Sequence, residues 1–378
     1  MLEKLAQLAN EGLKQMYLPD DGIFCHRLVG KKLAKEGKSL LYTLMVIIGL
    51  TKAKRMGLKS IFSPGRLFNN VWERSDAKES LGLLACILWA AALLEKDYVH
   101  RLLKQSEKLL SKYETKKWQI PTMETAWLLC GVCEYLLKEN NHKAILLGKK
   151  LFQILENAFK ESSGLFSFTT KGRRKNFIKK RINENLGSFA SQIYPIMALS
   201  KYYQVSHDDR ALKIAQYCAD TICKFQGPLG QWWWIYNVKK GFVVEGYPVY
   251  SVHQDAMAFM GLLELQKVLG KAKYEAYLKK GLRWLEGNNE IKTKIYDEKQ
   301  KIIWRAIQRK KPNPFRTGNF GLGKKELLKI QIAGFLNLSP FYTHEFPLSS
   351  EWEILFETRP YHNGWILLVW SILREVTK

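Results

Sequence analysis

Apolar residues recur along the chain in two patterns. In His207 to Gln226, residues Ala211, Ile214, Ala215, Cys218 and Ile222 fall at i, i+3, i+4, i+7 and i+11. In Ala272 to Leu285, residues Tyr274, Leu278, Gly281, Leu282 and Leu285 fall at i, i+4, i+7, i+8 and i+11. Each is a helix with one buried stripe. By contrast, Leu81 to Leu94, Thr125 to Leu137, Ile193 to Tyr203 and Ala256 to Val268 are apolar on nearly every side. A helix of that kind has to be covered all round, so it belongs inside.

The two kinds alternate. Inner helices are expected to start near Leu40, Glu79, Met123, Phe189, Val252 and Tyr361, and outer ones near Pro64, Asp97, Asn141, His207 and Lys271. The amphipathic segment Leu2 to Tyr17 supplies a sixth outer helix if the chain closes on itself. Repeats of roughly 40 to 65 residues mark arrays of helical hairpins. A Gly followed by an aromatic also recurs, at Gly22 and Phe24, Gly164 and Phe166, and Gly230 and Trp232. The glycine is expected to cap an outer helix in the left-handed conformation, with the aromatic packed on the returning chain. Trp232 to Tyr250 reads as a β-hairpin turning at Lys239-Lys240-Gly241, and Lys301 to Gln308 as a strand, with Pro312 and Pro314 beyond it. No Pro/Ser/Gly-rich linker divides the chain. The expectation is one all-α domain over 1–378, with a small β-hairpin at its mouth and a long irregular insertion at about 289–350.

Inner helices of a closed ring run the same way, so their first turns share one mouth. Gathered there are Glu124; Ser191, Gln192 and Tyr194; Tyr250, His253, Gln254 and Asp255; and Arg359, Tyr361, His362 and Asn363. Loops add Trp232, Trp233, Trp234, Tyr236, Glu245, Tyr247, His26 and Arg27. Glu245, Asp255, His253, Glu124 and His362 are the catalytic candidates. Glu245 is hemmed in by Val243, Val244, Tyr247 and Val249, and desolvation there would raise its pKa. The plainer readings stay open: Glu124 and Asp255 offset helix dipoles, and His253 is a core histidine. Trp232, Trp233, Tyr236, Tyr247 and Tyr250 offer aromatic faces on which sugars stack. Gln192, Gln254, Arg359, Tyr361 and Asn363 would orient a substrate. Two carboxylates across a cavity suit glycosidic cleavage. A Tyr/His pair with Arg359 suits proton abstraction beside a uronate carboxylate, as in a lyase or C5-epimerase.

Charge narrows the partner. Lys and Arg number 60 against 35 Asp and Glu, a net +25, which favours an acidic glycan over a neutral one. Lys171 to Arg181 holds seven basic residues, and Arg309 to Arg316 is a second basic run. Nucleic acid or an anionic membrane surface is the lesser reading of them, and a solvated loop the commonest. The longest uncharged apolar windows, Ser39 to Leu50 and Leu81 to Leu94, are too short for a bilayer span of about 20 residues. The N-terminus lacks the pattern of a secretory signal. The six Cys sit mostly in apolar stretches and read as core thiols. These features point to a cytoplasmic protein, with peripheral membrane attachment as an option. The single pair Cys130 and Cys133 has no second half, and Asp20-Asp21 and Asp208-Asp209 lack a third carboxylate at D-D-x-x-D spacing. No metal or cofactor is expected.

The alternation from Leu2 to Val376 resembles the (α/α)6-toroid superfamily, six helical hairpins in a closed ring. The resemblance implies glycoside hydrolase, polysaccharide lyase or sugar epimerase activity, with the site at the N-terminal mouth of the inner helices. The run Gln231 to Asp255 is similar to a bacterial family associated with exopolysaccharide genes. Some of that family's members carry the label aminolevulinate dehydratase, a β/α-barrel enzyme, and no such strand–helix alternation exists here. No site residue follows from that likeness. Two other readings accompany the enzyme: a non-catalytic glycan- or anion-binding protein of a polysaccharide-assembly system, and an isoprenoid cyclase or transferase on the same fold.

Overall fold

The computed structural model describes residues 1–74, 80–310 and 352–376. The expected helix start at Glu79, the prolines Pro312 and Pro314, and most of the basic run Arg309 to Arg316 lie outside these residues. Thirteen helices are present among the described residues. In chain order they are α1 Leu2–Met16, α2 Leu40–Arg55, α3 Pro64–Arg74, α4 Leu81–Leu93, α5 Val99–Thr115, α6 Thr122–Leu136 and α7 His142–Ala158. They continue with α8 Phe177–Asn185, α9 Phe189–Ser206, α10 Asp209–Lys224, α11 Ala258–Leu269, α12 Glu275–Leu285 and α13 Pro360–Val376.

The inner ring is α2, α4, α6, α9, α11 and α13, each packed on the next, and α13 returns to α2. The sequence explains the placement. All thirteen residues of α4 are buried, whereas α10 buries one stripe that includes Ala211, Ile214, Ala215, Cys218 and Ile222. The ring closes backbone to backbone: a Cβ on Gly49 of α2 would collide with the Gly364 carbonyl of α13. Two glycines at this crossing let the helices approach more closely than any side chain allows. α1 completes the outer layer against α13, where Glu3 accepts from Trp370 Nε1 at 2.6 Å and from Arg374 at 2.8 Å. All six cysteines are buried thiols. Among the described residues, no helix is long and apolar enough to cross a membrane.

Short strands finish the mouth side. They are β1 Tyr17–Leu18, β2 Ile23–Val29, β3 Ala34–Lys38, β4 Phe159–Lys160, β5 Leu165–Phe166, β6 Leu186–Ser188 and β7 Ile235–Asn237. The rest are β8 Phe242–Glu245, β9 Val249–Tyr250, β10 Tyr296–Asp297, β11 Ile302–Ile303, β12 Ala306–Arg309, β13 Trp352–Leu355 and β14 Glu357–Thr358. The expected hairpin is β7–β8, widened by β6 into a three-stranded sheet. β9, β12 and β13 form another sheet, and β1, β2, β3 and β14 a third. The described part of the insertion is ordered rather than irregular, since Tyr296, Ile302, Ile303, Trp304 and Ile307 are buried.

One expectation changes. Gly22 and Gly164 have positive φ (63° and 70°), but neither caps a helix. Each lies at the corner of a tiny hairpin that follows the helix, and the aromatic after it pairs back, Tyr17 with Phe24 and Phe159 with Phe166. The repeat is real; the element it marks is a turn, because an extended pair, and not a left-handed cap, follows the last helical residue.

Candidate active site

Serine caps fix the first turns of two inner helices, α2 and α9. Ser39 Oγ accepts from the Tyr42 amide at 3.1 Å, and Ser188 and Ser191 form a reciprocal capping box at α9. α11 is preceded by a π-helical turn over His253–Met257, a widened turn that recurs at functional sites.

The centre of the mouth is a charged aromatic cluster. The Tyr42 ring lies 4.8 Å from Tyr361 and stacks on His26 at 5.0 Å. Arg359 donates to the Tyr42 hydroxyl at 2.8 Å and to Glu357 Oε1 at 2.5 Å. Arg305 reaches the same carboxylate oxygen at 3.3 Å, with its guanidinium 4.9 Å from the Tyr250 ring centre. Arg27 holds Glu357 Oε2 at 2.9 Å and also pairs with Glu36 at 2.7 Å. Two strand pairings assemble this set. β14 lies on β2 with Glu357 opposite Val29, and β12 lies on β9 with Ala306 opposite Tyr250. Among the described residues, three guanidiniums thus share two carboxylates, leaving one positive charge over. Burial pushes the Glu357 carboxyl up, but Arg305, Arg359 and Arg27 outweigh it and hold it below the usual range. Burial raises the Tyr42 and Tyr250 phenols. It lowers His26, assisted by Arg359 and Arg27. These groups therefore act as neutral hydrogen-bonding partners around a cationic centre.

Glu124, in the first turn of α6, is half-buried and stands against Gly82 of α4. Desolvation raises its pKa, and no cation pairs with it among the described residues. Below the mouth, aromatic rings close the centre of the ring. Trp365 Nε1 donates to the Tyr194 hydroxyl at 2.8 Å, Trp127 meets Tyr194 edge-on at 5.3 Å, and Trp89 lies 5.8 Å from Trp365.

The other expected residues divide by exposure. His362 Nε2 and Asp255 Oδ1 are 2.7 Å apart, both buried, and Asp255 Oδ2 has no partner. Burial raises the Asp255 carboxyl. His253 is enclosed between Phe189 at 4.6 Å and Tyr250 at 5.2 Å, and burial pushes it down to about 3. It is neutral at ordinary pH. Glu245 is buried in a separate cluster, accepting from the Tyr247 amide at 3.0 Å and pairing with Arg309 at 3.4 Å. Its contacts are with neither His253 nor Asp255. Tyr247 stacks on Trp352 at 4.0 Å and donates to Glu290 at 2.6 Å.

Several expected substrate contacts are turned inward. Trp232 and Tyr236 have no exposed surface, so neither ring offers a face to solvent. Gln192 is also fully buried, accepting from the Phe166 amide at 2.7 Å and donating to its carbonyl at 2.8 Å. Gln254 is enclosed beside Trp232, and Asn363 donates to the Ala9 carbonyl at 3.1 Å. Trp233 and Trp234 keep part of their surface, with Trp234 edge-on to Tyr250 at 6.0 Å.

Sequence reasoning missed Tyr42, Arg305 and Glu357. Tyr42 was within reach, because it occupies the first turn of α2 just as Tyr361 does on α13. Arg305, just before β12, and Glu357, in β14, lie outside the inner helices, and only strand pairing across the chain brings them in.

This arrangement defines the fold as an (α/α)6 toroid with its polar and aromatic groups at the N-terminal mouth of the inner ring. Among solved structures, the chain is similar to an unsaturated glucuronyl hydrolase specific for heparin, with 13% identity, TM-score 0.60, and coverage of 100% of this chain and 97% of that one. It is similar to a sugar epimerase from a ruminal bacterium, with 12% identity, TM-score 0.60 and 98% of each chain covered. It also resembles a possible member of the GH105 family from Salmonella enterica serovar Paratyphi A, with 8% identity, TM-score 0.61, and coverage of 100% and 94%. No family model matches the chain, and no curated protein does. At these identities the likeness is one of fold.

Proposed function

We propose that this protein is a carbohydrate-active enzyme that performs general acid/base chemistry on an acidic oligo- or polysaccharide at the mouth of the inner ring. The observation that carries the reading is the cluster of Arg305, Arg359 and Arg27 around Glu357, walled by Tyr42, Tyr250 and Tyr361. Its surplus cation is placed to accept a uronate carboxylate. The fold neighbours include a glucuronyl hydrolase and a sugar epimerase, which supports the substrate class.

In the favoured mechanism, Arg305 and Arg359 neutralise the uronate carboxylate and so acidify the adjacent C–H. His362 takes that proton, with Asp255 fixing its ring and stabilising the cation that forms. Trp233 and Trp234 flank the sugar as platforms. Glu124 returns a proton to the leaving oxygen in elimination, or to the opposite face of the carbanion in epimerisation. A second reading, hydrolysis, is favoured by one feature. Glu124 is a mouth carboxyl whose pKa is raised without a cationic partner, as a glycosidic acid requires.

A panel of acidic and neutral polysaccharides separates these outcomes. Unsaturated uronate absorbance marks elimination, new reducing ends without it mark hydrolysis, and solvent deuterium at C5 marks epimerisation. Turnover sharply lowered in Arg305→Met and Glu124→Gln is the expected result. Binding without any of the three signals would replace the enzyme by a glycan-binding protein. Turnover confined to neutral glycans would remove the assigned role of the arginines.

A further inference from the structure

A concavity lies outside the inner ring. A recess of about 800 Å³ opens between the C-terminal ends of α5 and α7 and the loop 169–172. That size falls among ligand sites, about 300–1,000 Å³. Its lining includes Tyr113, Trp118, Lys117, Lys160 and Lys171. Trp118 is 42% exposed, with Tyr113 edge-on to it at 5.9 Å and the Lys116 ammonium over one face of its ring at 4.6 Å. The wall is firmly built. Trp118 bridges Arg173 and Pro121 bridges Thr169, the Ile120 amide donates to Thr170 Oγ1 at 3.0 Å, and Gly172 packs on the backbone of Trp118 and Gln119.

The charges in the recess are unequal in a telling way. Three carboxylates also line it: Glu114, Glu156 and Glu161. Each is already held by a cation from outside the lining. Lys150 pairs with Glu114 at 2.7 Å, and Arg210 pairs with Glu156 at 2.9 Å and with Glu161. Lys117, Lys160 and Lys171 have no ion pair with any described carboxylate. Burial lowers the Lys160 pKa and Lys171 adds to the effect, with Glu184 only partly opposing it. Lysines that press on one another beside an exposed indole gain from an anionic ligand with a stackable ring. Ile120, in the lining, lies four residues before Glu124 in the chain, and the lining residue Tyr113 feels the charge of that carboxylate.

We infer that this recess is an outlying subsite for an acidic oligosaccharide, with Trp118 stacking a sugar ring and Lys117, Lys160 and Lys171 binding its carboxylates. The assignment rests on the acidic-glycan reading of the mouth. It gives the basic segment that starts at Lys171 a role: it lies along the path of a polymer that leaves the mouth over the start of α6.

Calorimetric titration of the full chain with oligogalacturonate hexamer tests this, with maltohexaose as the neutral control. Two binding events are expected in the unaltered protein, one in Arg305→Met, and none when Trp118→Ala is added to it. Lys160→Ala/Lys171→Ala should weaken the recess event about tenfold, and Lys160→Arg should retain it. If the mouth reading alone is wrong, the unaltered protein shows one event, insensitive to Arg305→Met and abolished by Trp118→Ala. Binding that ignores Trp118 and the lysines on every background would overturn the subsite. Tighter binding of oligodeoxythymidylate or phosphatidylglycerol vesicles, lost in Trp118→Ala, would overturn it in favour of a nucleic acid or membrane contact.

Discussion

The two ends of the inner ring both gather charge, and they do so in opposite ways. At the C-terminal end, Lys201 pairs with Glu134 at 2.8 Å and Glu264 at 3.3 Å, and Lys52 reaches Glu134 and Glu375 at 3.5 Å each. Lys267 completes the set on Glu375 at 2.9 Å. Three cations meet three carboxylates, contributed by α2, α6, α9, α11 and α13, and the core of the network is buried. Burial pushes Glu134 up, yet Lys201 and Lys52 hold it down at about 2. At the N-terminal end, Arg305 and Arg359 keep 15% and 11% of their side-chain surface, and one cation is left over. A self-balanced network locks helices together. The other network leaves a cation unmatched among the described residues, and that imbalance, not exposure, sets the two ends apart, since Lys52 and Glu375 keep 16% and 20% of their side-chain surface.

Substitutions should therefore separate the two ends. The largest stability effect belongs to the closed end. Lys201→Met strands Glu134 and Glu264 in the interior and should cost about 3–5 kcal/mol in urea unfolding. A loss under 1 kcal/mol would mean the network is solvated. At the open end, Arg305→Met should lower kcat/KM on acidic substrate about 10²- to 10³-fold. Its unfolding midpoint should stay near that of the unaltered protein, and a large loss of stability would make Arg305 structural.

Acid titration sharpens the contrast further. His253 is neutral and enclosed, with its pKa lowered from 6.5 to about 3, so the stability it contributes is present above 6.5 and lost as pH falls toward 3. Glu134, lowered from 4.5 to about 2, contributes stability above 4.5 that is lost as pH falls toward 2. Asp255 is raised and works in the opposite sense, favouring the folded state at low pH. Thermal melts should show a decline in Tm between pH 6.5 and 4.5 that His253→Gln removes; an unchanged decline places the titrating group elsewhere. In the rate profile, Glu124 must be protonated to donate, so activity should fall as pH rises through its raised pKa. Glu124→Gln should flatten that alkaline limb. The smallest effect is expected at the exposed rim, where Glu36→Gln removes a solvated partner of Arg27 and should change stability by about 0.2–1 kcal/mol.

The ring was legible because burial writes itself into composition. α4 has no polar face and α10 has one, so inside and outside follow from the residues alone. Positions at the starts of inner helices were legible for the same reason: Glu124 and Tyr361 lie in first turns, and Tyr250 and Arg359 come just before them. Orientation was not legible. Three consecutive Trp require different environments, but only the packing of Trp232 on Phe189 at 5.5 Å shows which one is in the core. Gln192 looks available on paper and is committed to a backbone amide and carbonyl in space. β3 escaped notice because Ala-Lys-Glu-Gly-Lys has no alternation, and all five residues are exposed. Its strand character comes from pairing with β2, which no local pattern encodes.

The glycine crossing of α2 and α13 also governs when the protein becomes competent. Arg359 and Tyr42 are bonded across 317 residues of chain, and the whole aromatic wall between them depends on that seam. Contacts so remote in sequence form late, after local hairpins have stacked one upon another. A ribosome-bound fragment ending before Pro360 carries five of the six inner helices, with Tyr42 and Arg359, but lacks Tyr361 and the helix that follows Arg359. The mouth cluster is thus completed in a single step, with α13.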